Sequence, residues 1–268
     1  YSSPYLGAAG NHKPHKRWIF AENKRHETWY IRKARSHVGI STGNKPKRNM
    51  VNLYNADCLL AMREMEDNQF DLAIVDPPYG IGLDFQFKNG LGQSIHDKKE
   101  WNDSTPPQAY FDELHRVSKH QIIWGCNYYA KHIPAVGRIV HDKKMGQKGT
   151  KLRFSEADLA SCSKQKRITI FEYRWKGNRQ GDTVNWTNTG PDARIHPTQK
   201  PIKLYEWLLI NYAKKGDKIL DTHLGSGSIA IACHNYNFDL TGYEIDKDYY
   251  DNAVKRYKNH IKQERLFT

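Results

Sequence analysis

Residues 218–230 read Lys218-Ile-Leu-Asp-Thr-His-Leu-Gly-Ser-Gly-Ser-Ile-Ala230, and this stretch decides the fold class. It predicts a strand, a glycine turn and a helix that begins at Ser228. Gly225, Gly227 and Ala230 satisfy the pattern G-x-G-x-x-A, in which small residues let the backbone approach a ligand at the carboxyl end of a strand. The stretch therefore predicts a ligand-binding α/β domain.

Strands and helices alternate along the rest of the chain. Strands are predicted at 51–55, 71–75, 121–125, 138–141, 168–171, 218–220 and 240–243, and helices at 58–65, 107–117, 204–212, 228–234 and about 247–263. This alternation predicts a mostly parallel α/β sheet with helices on both faces.

The second informative stretch, residues 76–80, reads Asp-Pro-Pro-Tyr-Gly directly behind an apolar run. The exocyclic amine of a nucleobase is a poor nucleophile because its lone pair is delocalised into the ring, so a catalyst must accept hydrogen bonds from it. Asp76 and the carbonyl of Pro77 suit this task, since a proline pair does not continue a helix. Tyr79 offers a ring for stacking. The structural alternative is a turn that merely closes the strand.

The ordinary pKa of an aspartate, about 4, is too low for deprotonating such an amine beforehand. We therefore expect Asp76 to orient and polarise the amine, with the proton leaving after attack. Positioning and preorganised electrostatics would then supply most of the rate enhancement.

Composition narrows the class of partner. The 268 residues, 38% of them apolar, suffice for one catalytic domain with small additions. The chain carries 42 Lys and Arg against 29 Asp and Glu, a net charge of +13, and has no apolar run long enough to span a membrane. These features favour a polyanionic partner such as nucleic acid.

The basic charge is concentrated in residues 1–48, which hold 11 Lys or Arg but only two acidic residues and so carry +9. Basic side chains interleaved with aromatic ones suit phosphate contact and base stacking. We predict an N-terminal arm over 1–48, with a helix at 19–36, followed by a catalytic domain over 49–268. A solvated or docked basic tail is the alternative. The aromatic residues of the arm include Trp18, Phe20, Trp29 and Tyr30.

Four widely spaced cysteines, with no C-x-x-C pair, indicate a reducing compartment and argue against a zinc site. We expect reduced and mostly buried thiols, and no bound metal. The expected location is the cytoplasm of a prokaryotic or phage-like system, or wherever the nucleic-acid substrate lies.

Two acidic residues flank the glycine turn. Asp221 ends the preceding strand, and Glu244 follows the next one, where a carboxylate can hold the two hydroxyls of a ribose. A pyrophosphate would prefer cations at this place, whereas the sulfonium cofactor S-adenosylmethionine has a ribose and no phosphate. Together with Asp76-Pro-Pro-Tyr79, the turn therefore favours S-adenosylmethionine over a nicotinamide dinucleotide.

At this point the chain resembles the amino-methyltransferases of DNA, in the circularly permuted order called the beta class. The resemblance covers roughly residues 50–260 and implies a permuted Rossmann-like fold that transfers a methyl group from S-adenosylmethionine to an amino nitrogen of a flipped-out base. An aspartate at position 76 is similar to the adenine-N6 enzymes, since the cytosine-N4 enzymes usually carry serine there. Four motifs, in the order that they have in the family, support the resemblance: Asn55-Ala-Asp57-Cys, Asp76-Pro-Pro-Tyr-Gly80, His196-Pro-Thr-Gln-Lys-Pro201 and Asp221-Thr-His-Leu-Gly-Ser-Gly227.

The same resemblance implies the site residues. Asp76, Pro77 and Tyr79 match the catalytic group, and Pro78 shapes its loop. The implied cofactor-binding residues are Asp57 at the adenine side, Lys200 and Pro201 at the methionine end, Gly225 and Gly227 in the turn, Glu244 at the ribose, and Asp76, Asp221 and His223.

Four of these residues have simpler explanations. Asp57 could cap a helix, Glu244 could be a surface acid, and Lys200 could be solvated beside a turn that starts at His196-Pro197. Thr222 and His223 stand where the family commonly has Pro-Phe, so His223 either replaces an aromatic wall or is a packing residue.

Extruding a base from a duplex costs a few kcal/mol, which a basic groove must offset. We predict DNA-recognition insertions near 84–107 and 174–195, whose contacts go mainly to phosphate. The predicted DNA-binding residues are Lys88, Lys98, Lys99, Asn127, Tyr128, Lys176, Arg179 and Arg194.

The expected function is thus site-specific adenine-N6 methylation of double-stranded DNA. An RNA adenine methyltransferase, a DNA cytosine-N4 methyltransferase, an NAD-dependent dehydrogenase and a non-enzymatic DNA-binding protein are the alternatives. Substrate preference, product base and cofactor distinguish them. A homodimer and a restriction or accessory partner are left open.

Overall fold

The computed structural model describes residues 49–81, 104–144, 155–176, 179–180, 183–184, 195–196 and 198–266. All of the described residues belong to one compact unit of the chain. The predicted arm over 1–48 and most of the two predicted insertions lie outside the described residues, as do Lys88, Lys98, Lys99 and Arg194.

The described residues form eleven strands and five α-helices. The strands are β1 (Val51–Asn55), β2 (Leu72–Val75), β3 (Gln121–Trp124), β4 (Gly137–Asp142), β5 (Ala157–Cys162), β6 (Ile168–Glu172), β7 (Trp175–Lys176), β8 (Arg179–Gln180), β9 (Thr183–Val184), β10 (Lys218–Asp221) and β11 (Asp239–Glu244). The helices are α1 (Cys58–Arg63), α2 (Gln108–Val117), α3 (Ile202–Tyr212), α4 (Ser228–Tyr236) and α5 (Lys247–Leu266). Every predicted element within the described residues is present, with ends that differ by at most three residues.

Eight of these strands form the main sheet, in the order β1-β11-β10-β2-β3-β5-β4-β6. Among its described strands β5 alone runs antiparallel to both neighbours, so the predicted mostly parallel sheet is confirmed. The sequence analysis missed β5 because Ala157–Cys162 is rich in small residues with little strand preference. Pairing with β3 and β4 makes it a strand, with Ala160 and Cys162 fully buried.

The centre of the sheet is covered on both faces. Every residue of β2 and β3 is buried, which accounts for their continuous apolar runs. On one side α2 packs Phe111 and Leu114 into a core that includes Ala73, Val75 and Ile123. All four cysteines are free and three of them are buried, as the sequence predicted. No described helix meets the length and apolarity needed to cross a bilayer.

The chain diverges at β10 and β2, which are neighbours in the sheet. From β10 it continues through α4 to β11 on one side, and from β2 through α2 to β3 on the other. In open α/β sheets a ligand binds outside the carboxyl ends of the strands at such a switch point. Asp76 and the glycine turn after Asp221 both lie at this place.

Part of the second predicted insertion has secondary structure. The strands β7, β8 and β9 form a small antiparallel sheet within residues 175–184, and Lys176 and Arg179 are paired in its register. The sequence analysis predicted a DNA-recognition insertion here and no strands, because two-residue strands leave no alternation to detect.

Candidate active site

Asp76 follows the last residue of β2, and both of its carboxylate oxygens have partners. The Tyr79 hydroxyl donates to Oδ1 at 2.6 Å, and the Lys200 ammonium group donates to Oδ2. Lys200 Nζ also lies 3.2 Å from the Tyr79 hydroxyl oxygen, and its residue is only 5% exposed. Asp76, Tyr79 and Lys200 thus form one hydrogen-bonded group, although they span 124 positions of the sequence.

The carbonyl groups of the diproline are free of helical hydrogen bonds, as predicted, but they meet a tyrosine. The Tyr129 hydroxyl oxygen lies 2.6 Å from the carbonyl oxygens of both Pro77 and Pro78. Tyr129 is fully buried, and burial raises the pKa of its hydroxyl, so it stays a neutral donor. It fixes the loop while each carbonyl oxygen keeps a further lone pair for a ligand.

The Tyr79 ring is held between close neighbours. Tyr128 stacks on it with the ring centroids 5.0 Å apart and the planes 15° apart. Gly125 has a φ of +71°, and a Cβ added there would lie 2.2 Å from Cε1 of Tyr79. Burial, followed by the charge of Asp76, raises the pKa of the Tyr79 hydroxyl well above its usual value.

A second acid beside Lys200 was missed by the sequence analysis. Burial by itself would raise the pKa of Asp158, but Lys200, His141 and Lys143 hold it well below the usual range. Lys143 Nζ contacts Asp158 at 2.6 Å, whereas His141 Nδ1 lies 3.5 Å away, too far for a well-formed hydrogen bond. Asp158 belongs to β5, the strand that was not predicted, so no sequence signal placed it here.

Trp124, the last residue of β3, is the other missed neighbour. Its ring lies beside Lys200, with Nζ 5.4 Å from the ring centroid, a distance at which a cation is attracted to the π-face. Its buried indole Nε1 has no hydrogen-bond partner within the described part of the chain. The sequence showed only a strand residue at this position.

Backbone contacts on both sides hold the segment that carries Lys200. The Ser228 hydroxyl donates to the Lys200 carbonyl at 2.8 Å, and Trp175 Nε1 donates to the Gln199 carbonyl at 2.7 Å. The His196 ring lies against Tyr249, with the centroids 4.3 Å apart. The described residues of this motif, 196 and 198–201, therefore include contacts with β7, α4 and α5, and Pro201 is the residue that precedes α3.

The glycine turn has the left-handed backbone that only glycine adopts at low cost. Gly225 has φ +50° and Gly227 φ +71°, and a Cβ at Gly227 would lie 3.1 Å from that of Ala253. Glu244 closes the turn, since its carboxylate accepts from the Gly225 amide at 2.8 Å and from the Asp246 amide at 3.0 Å. Burial raises the pKa of Glu244. Glu244 is therefore not a surface acid.

Asp221 and His223 are linked beside this turn. Burial, with smaller contributions from Asp76 and Glu244, raises the pKa of Asp221 to about 8, and its Oδ1 accepts from the His223 amide at 3.0 Å. Burial lowers the pKa of His223 to about 4, so its ring is neutral at pH 7. His223 Nδ1 lies 2.9 Å from the Thr222 hydroxyl oxygen. These contacts fit the alternative that His223 is a packing residue. That His223 also contacts a cofactor stays a prediction.

Asp57 caps helix α1, as the structural alternative proposed. Its Oδ1 accepts from the amides of Leu59 at 2.7 Å and Leu60 at 3.3 Å. The cap places the aspartate directly after β1, at the same edge of the sheet as Asp76 and Glu244. A contact with the adenine side of a cofactor stays a prediction.

The predicted DNA-binding residues divide into two described groups. Asn127 and Tyr128 follow β3 beside Tyr79, whereas Lys176 and Arg179 lie on β7 and β8. Among the residues described, no three His, Cys, Asp or Glu side chains come together in a way that could hold a metal ion.

The chain is similar in sequence to known DNA methyltransferases. The model of the family described as DNA methylase matches residues 126–255. Among curated relatives, the type II methyltransferase M.HpaI of Haemophilus parainfluenzae is 23% identical over 233 residues, covering 75% of this chain and 72% of the relative. The type II methyltransferase M2.MboI of Moraxella bovis is 24% identical over 255 residues, covering 79% of this chain and 92% of the relative.

Among solved structures, the cytosine-N4-specific PvuII DNA methyltransferase is similar in fold, with a TM-score of 0.50 and 11% identity. The match covers 82% of this chain and 94% of that structure. The predicted fold class, a Rossmann-like methyltransferase sheet, is confirmed.

Proposed function

We propose that this chain, which is similar to DNA methyltransferases over most of its length, methylates N6 of an adenine flipped out of double-stranded DNA. The observation that carries the proposal is the position of Asp76. Its carboxylate lies at the switch point of the sheet, between a stacking tyrosine and the loop that displays the carbonyl oxygens of Pro77 and Pro78.

The residues around the glycine turn fit S-adenosylmethionine as the methyl donor. Gly225 and Gly227 supply the left-handed backbone of the turn, and the buried carboxyl groups of Asp221 and Glu244 suit a ribose and a sulfonium better than phosphates. When bound, S-adenosylmethionine supplies a methyl group on a positively charged sulfur. Asp57 and Pro201 border the same crevice, and we assign them the adenine side and the methionine end.

The catalytic group orients the amine of the base. The two N–H bonds of N6 would donate to a carboxylate oxygen of Asp76 and to the carbonyl of Pro77, which directs the nitrogen lone pair towards the methyl group. S-adenosylmethionine would supply the methyl group that the amine attacks, and the methylated nitrogen would then release its extra proton to water. Lys200 and the Tyr79 hydroxyl each donate to one carboxylate oxygen beforehand, and each oxygen keeps a further lone pair that could accept from the amine.

The assignment of adenine rests on the residue at position 76. A carboxylate there is similar to the adenine-N6 enzymes, and its charge makes it a stronger acceptor of an amino N–H than a serine hydroxyl. The fold is shared by enzymes of both specificities and does not choose between them.

The test of the proposed function is the identity of the methylated base. Purified protein is incubated with methyl-labelled S-adenosylmethionine and duplex DNA of mixed sequence, and the digested nucleosides are separated. We expect label in N6-methyladenine. Label in N4-methylcytosine would overturn the adenine assignment, and label only in an RNA supplied in parallel would overturn the DNA assignment.

The basic arm over 1–48 and the predicted insertions are proposed to supply phosphate contacts. Deleting residues 1–45 should weaken duplex binding and flatten its salt dependence, by about 0.9 in the log-log slope for each phosphate that the arm neutralises. The measurement is a titration at several salt concentrations, with binding of S-adenosylmethionine as the control for folding. A slope equal to that of the full chain would exclude the arm from the interface.

A further inference from the structure

The feature that the proposed mechanism leaves unused is the stacked pair of Tyr79 and Tyr128, here called the aromatic clamp. Their rings lie nearly parallel, with centroids 5.0 Å apart. A base between two parallel rings needs them ~7 Å apart, twice the spacing of about 3.4 Å between stacked bases. The clamp is therefore collapsed, and Tyr128 covers a face of Tyr79 on which a base would stack.

Tyr79 is the fixed half of the clamp. Its hydroxyl donates to Asp76 at 2.6 Å and lies 3.2 Å from Lys200 Nζ, and the backbone of Gly125 comes close to its ring. Moving this ring would disturb the carboxylate that holds the amine. The clamp must therefore open at Tyr128.

Tyr128 is suited to move. The residue is 41% exposed. Within the described part of the chain, its ring is held by the stack on Tyr79. Its neighbour Tyr129 is fully buried, with its hydroxyl at the two proline carbonyls, so the backbone after Tyr128 is anchored. A rotation of the exposed side chain therefore opens the clamp without moving the loop, and such rotations are fast compared with base extrusion.

We propose that the target base enters between Tyr79 and Tyr128, and that Tyr128 closes on its outer face as a positioning residue. This inference rests on the proposed function and adds the second wall of the base pocket. Opening the clamp breaks one stack of aromatic rings, and closing it on a base forms two, so the net gain of one stack offsets part of the cost of extruding the base.

The test uses a duplex that carries 2-aminopurine at the position methylated by the wild-type enzyme. This fluorescent base is bright when unstacked and lacks the 6-amino group, so it reports stacking without undergoing methylation. A duplex with the probe one base pair away is the control. The variants are Tyr128→Ala, which removes the ring, and Tyr128→Phe, which keeps it.

With Tyr128→Ala we expect a brighter bound probe and a KM for DNA raised about 10-fold, with a smaller loss in kcat. With Tyr128→Phe both values should match the wild type. If Tyr128→Ala and the wild type have equal fluorescence and equal KM, the clamp proposal is wrong. A lower KM in Tyr128→Ala would also contradict it, because Tyr128 would then only obstruct the site.

Failure of the proposed function has a different signature. If the wild type labels no DNA base, the variants are titrated with the deoxynucleoside monophosphate of 2-aminopurine. Quenching by the wild type and by Tyr128→Phe, but not by Tyr128→Ala, still supports the clamp, and equal quenching by all three contradicts it.

Discussion

Replacing Asp76 with Ala is expected to lower kcat for methyl transfer by at least about 10³-fold, because the substitution removes the acceptor that orients and polarises the amine. Binding of S-adenosylmethionine should change little, since the glycine turn and Glu244 hold their own contacts. The measurement is methyl transfer per molecule of folded enzyme, together with cofactor binding by calorimetry.

The variant Asp76→Asn separates charge from shape. It keeps the size of the side chain and one acceptor oxygen, yet its amide group would donate where Tyr79 or Lys200 now donates. We expect it to be nearly as inactive as Asp76→Ala. Activity close to the wild type would mean that the charge of Asp76 is not needed.

Asp67→Ala is the matched control. Asp67 also pairs with a basic residue, Arg116, at 2.7 Å, but its side chain is 73% exposed and lies outside the site. Surface pairs of this kind contribute little, ~0 to 1 kcal/mol, so activity should be unchanged. If Asp76→Ala loses activity only in proportion to its reduced cofactor affinity or its reduced yield of folded protein, Asp76 is merely part of a turn that closes β2.

The local pattern of the sequence was enough to predict most of the sheet. The apolar runs of β2 and β3 and the glycine turn after β10 identify parallel strands, and parallel strands place their carboxyl ends at one edge. The presence of Asp76 and Glu244 at that edge follows from this rule, although they are 168 positions apart in the sequence. Lys200 precedes α3 and directly follows no described strand, so only its motif predicted it for the site. The four motifs then gave the site its chemistry.

The contacts that complete the site depend on tertiary structure and have no local signal. The charge of Lys200 acts on Asp158 because β5 is inserted between β3 and β4, and the small residues of β5 carry no strand pattern of their own. Tyr128 and Tyr129 are adjacent in sequence, yet one is exposed and the other holds the diproline carbonyls. Only the path of the chain after β3 distinguishes their roles.

Gly125→Ala is expected to reduce kcat about 100-fold or more, as small displacements at a catalytic centre do. The new Cβ would lie 2.2 Å from Cε1 and 2.6 Å from Cδ1 of Tyr79, distances that real side chains do not reach. The Tyr79 ring must therefore shift. The Asp76 carboxylate shifts with it, because the Tyr79 hydroxyl is hydrogen-bonded to that carboxylate. Cofactor binding should be retained, and the measurement is kcat per folded molecule alongside the melting temperature.

The chain offers a matched control for the backbone strain that this substitution also introduces. Gly216 has φ +91°, and a Cβ there would meet nothing within 4 Å, so Gly216→Ala adds unfavourable backbone conformation without a clash. Each alanine in left-handed backbone costs ~1 to 2 kcal/mol, so both variants should lose stability. We expect only Gly125→Ala to lose activity per folded molecule, because only its Cβ meets the catalytic tyrosine. Equal activity of the two variants would show that Tyr79 needs neither its present position nor its bond to Asp76.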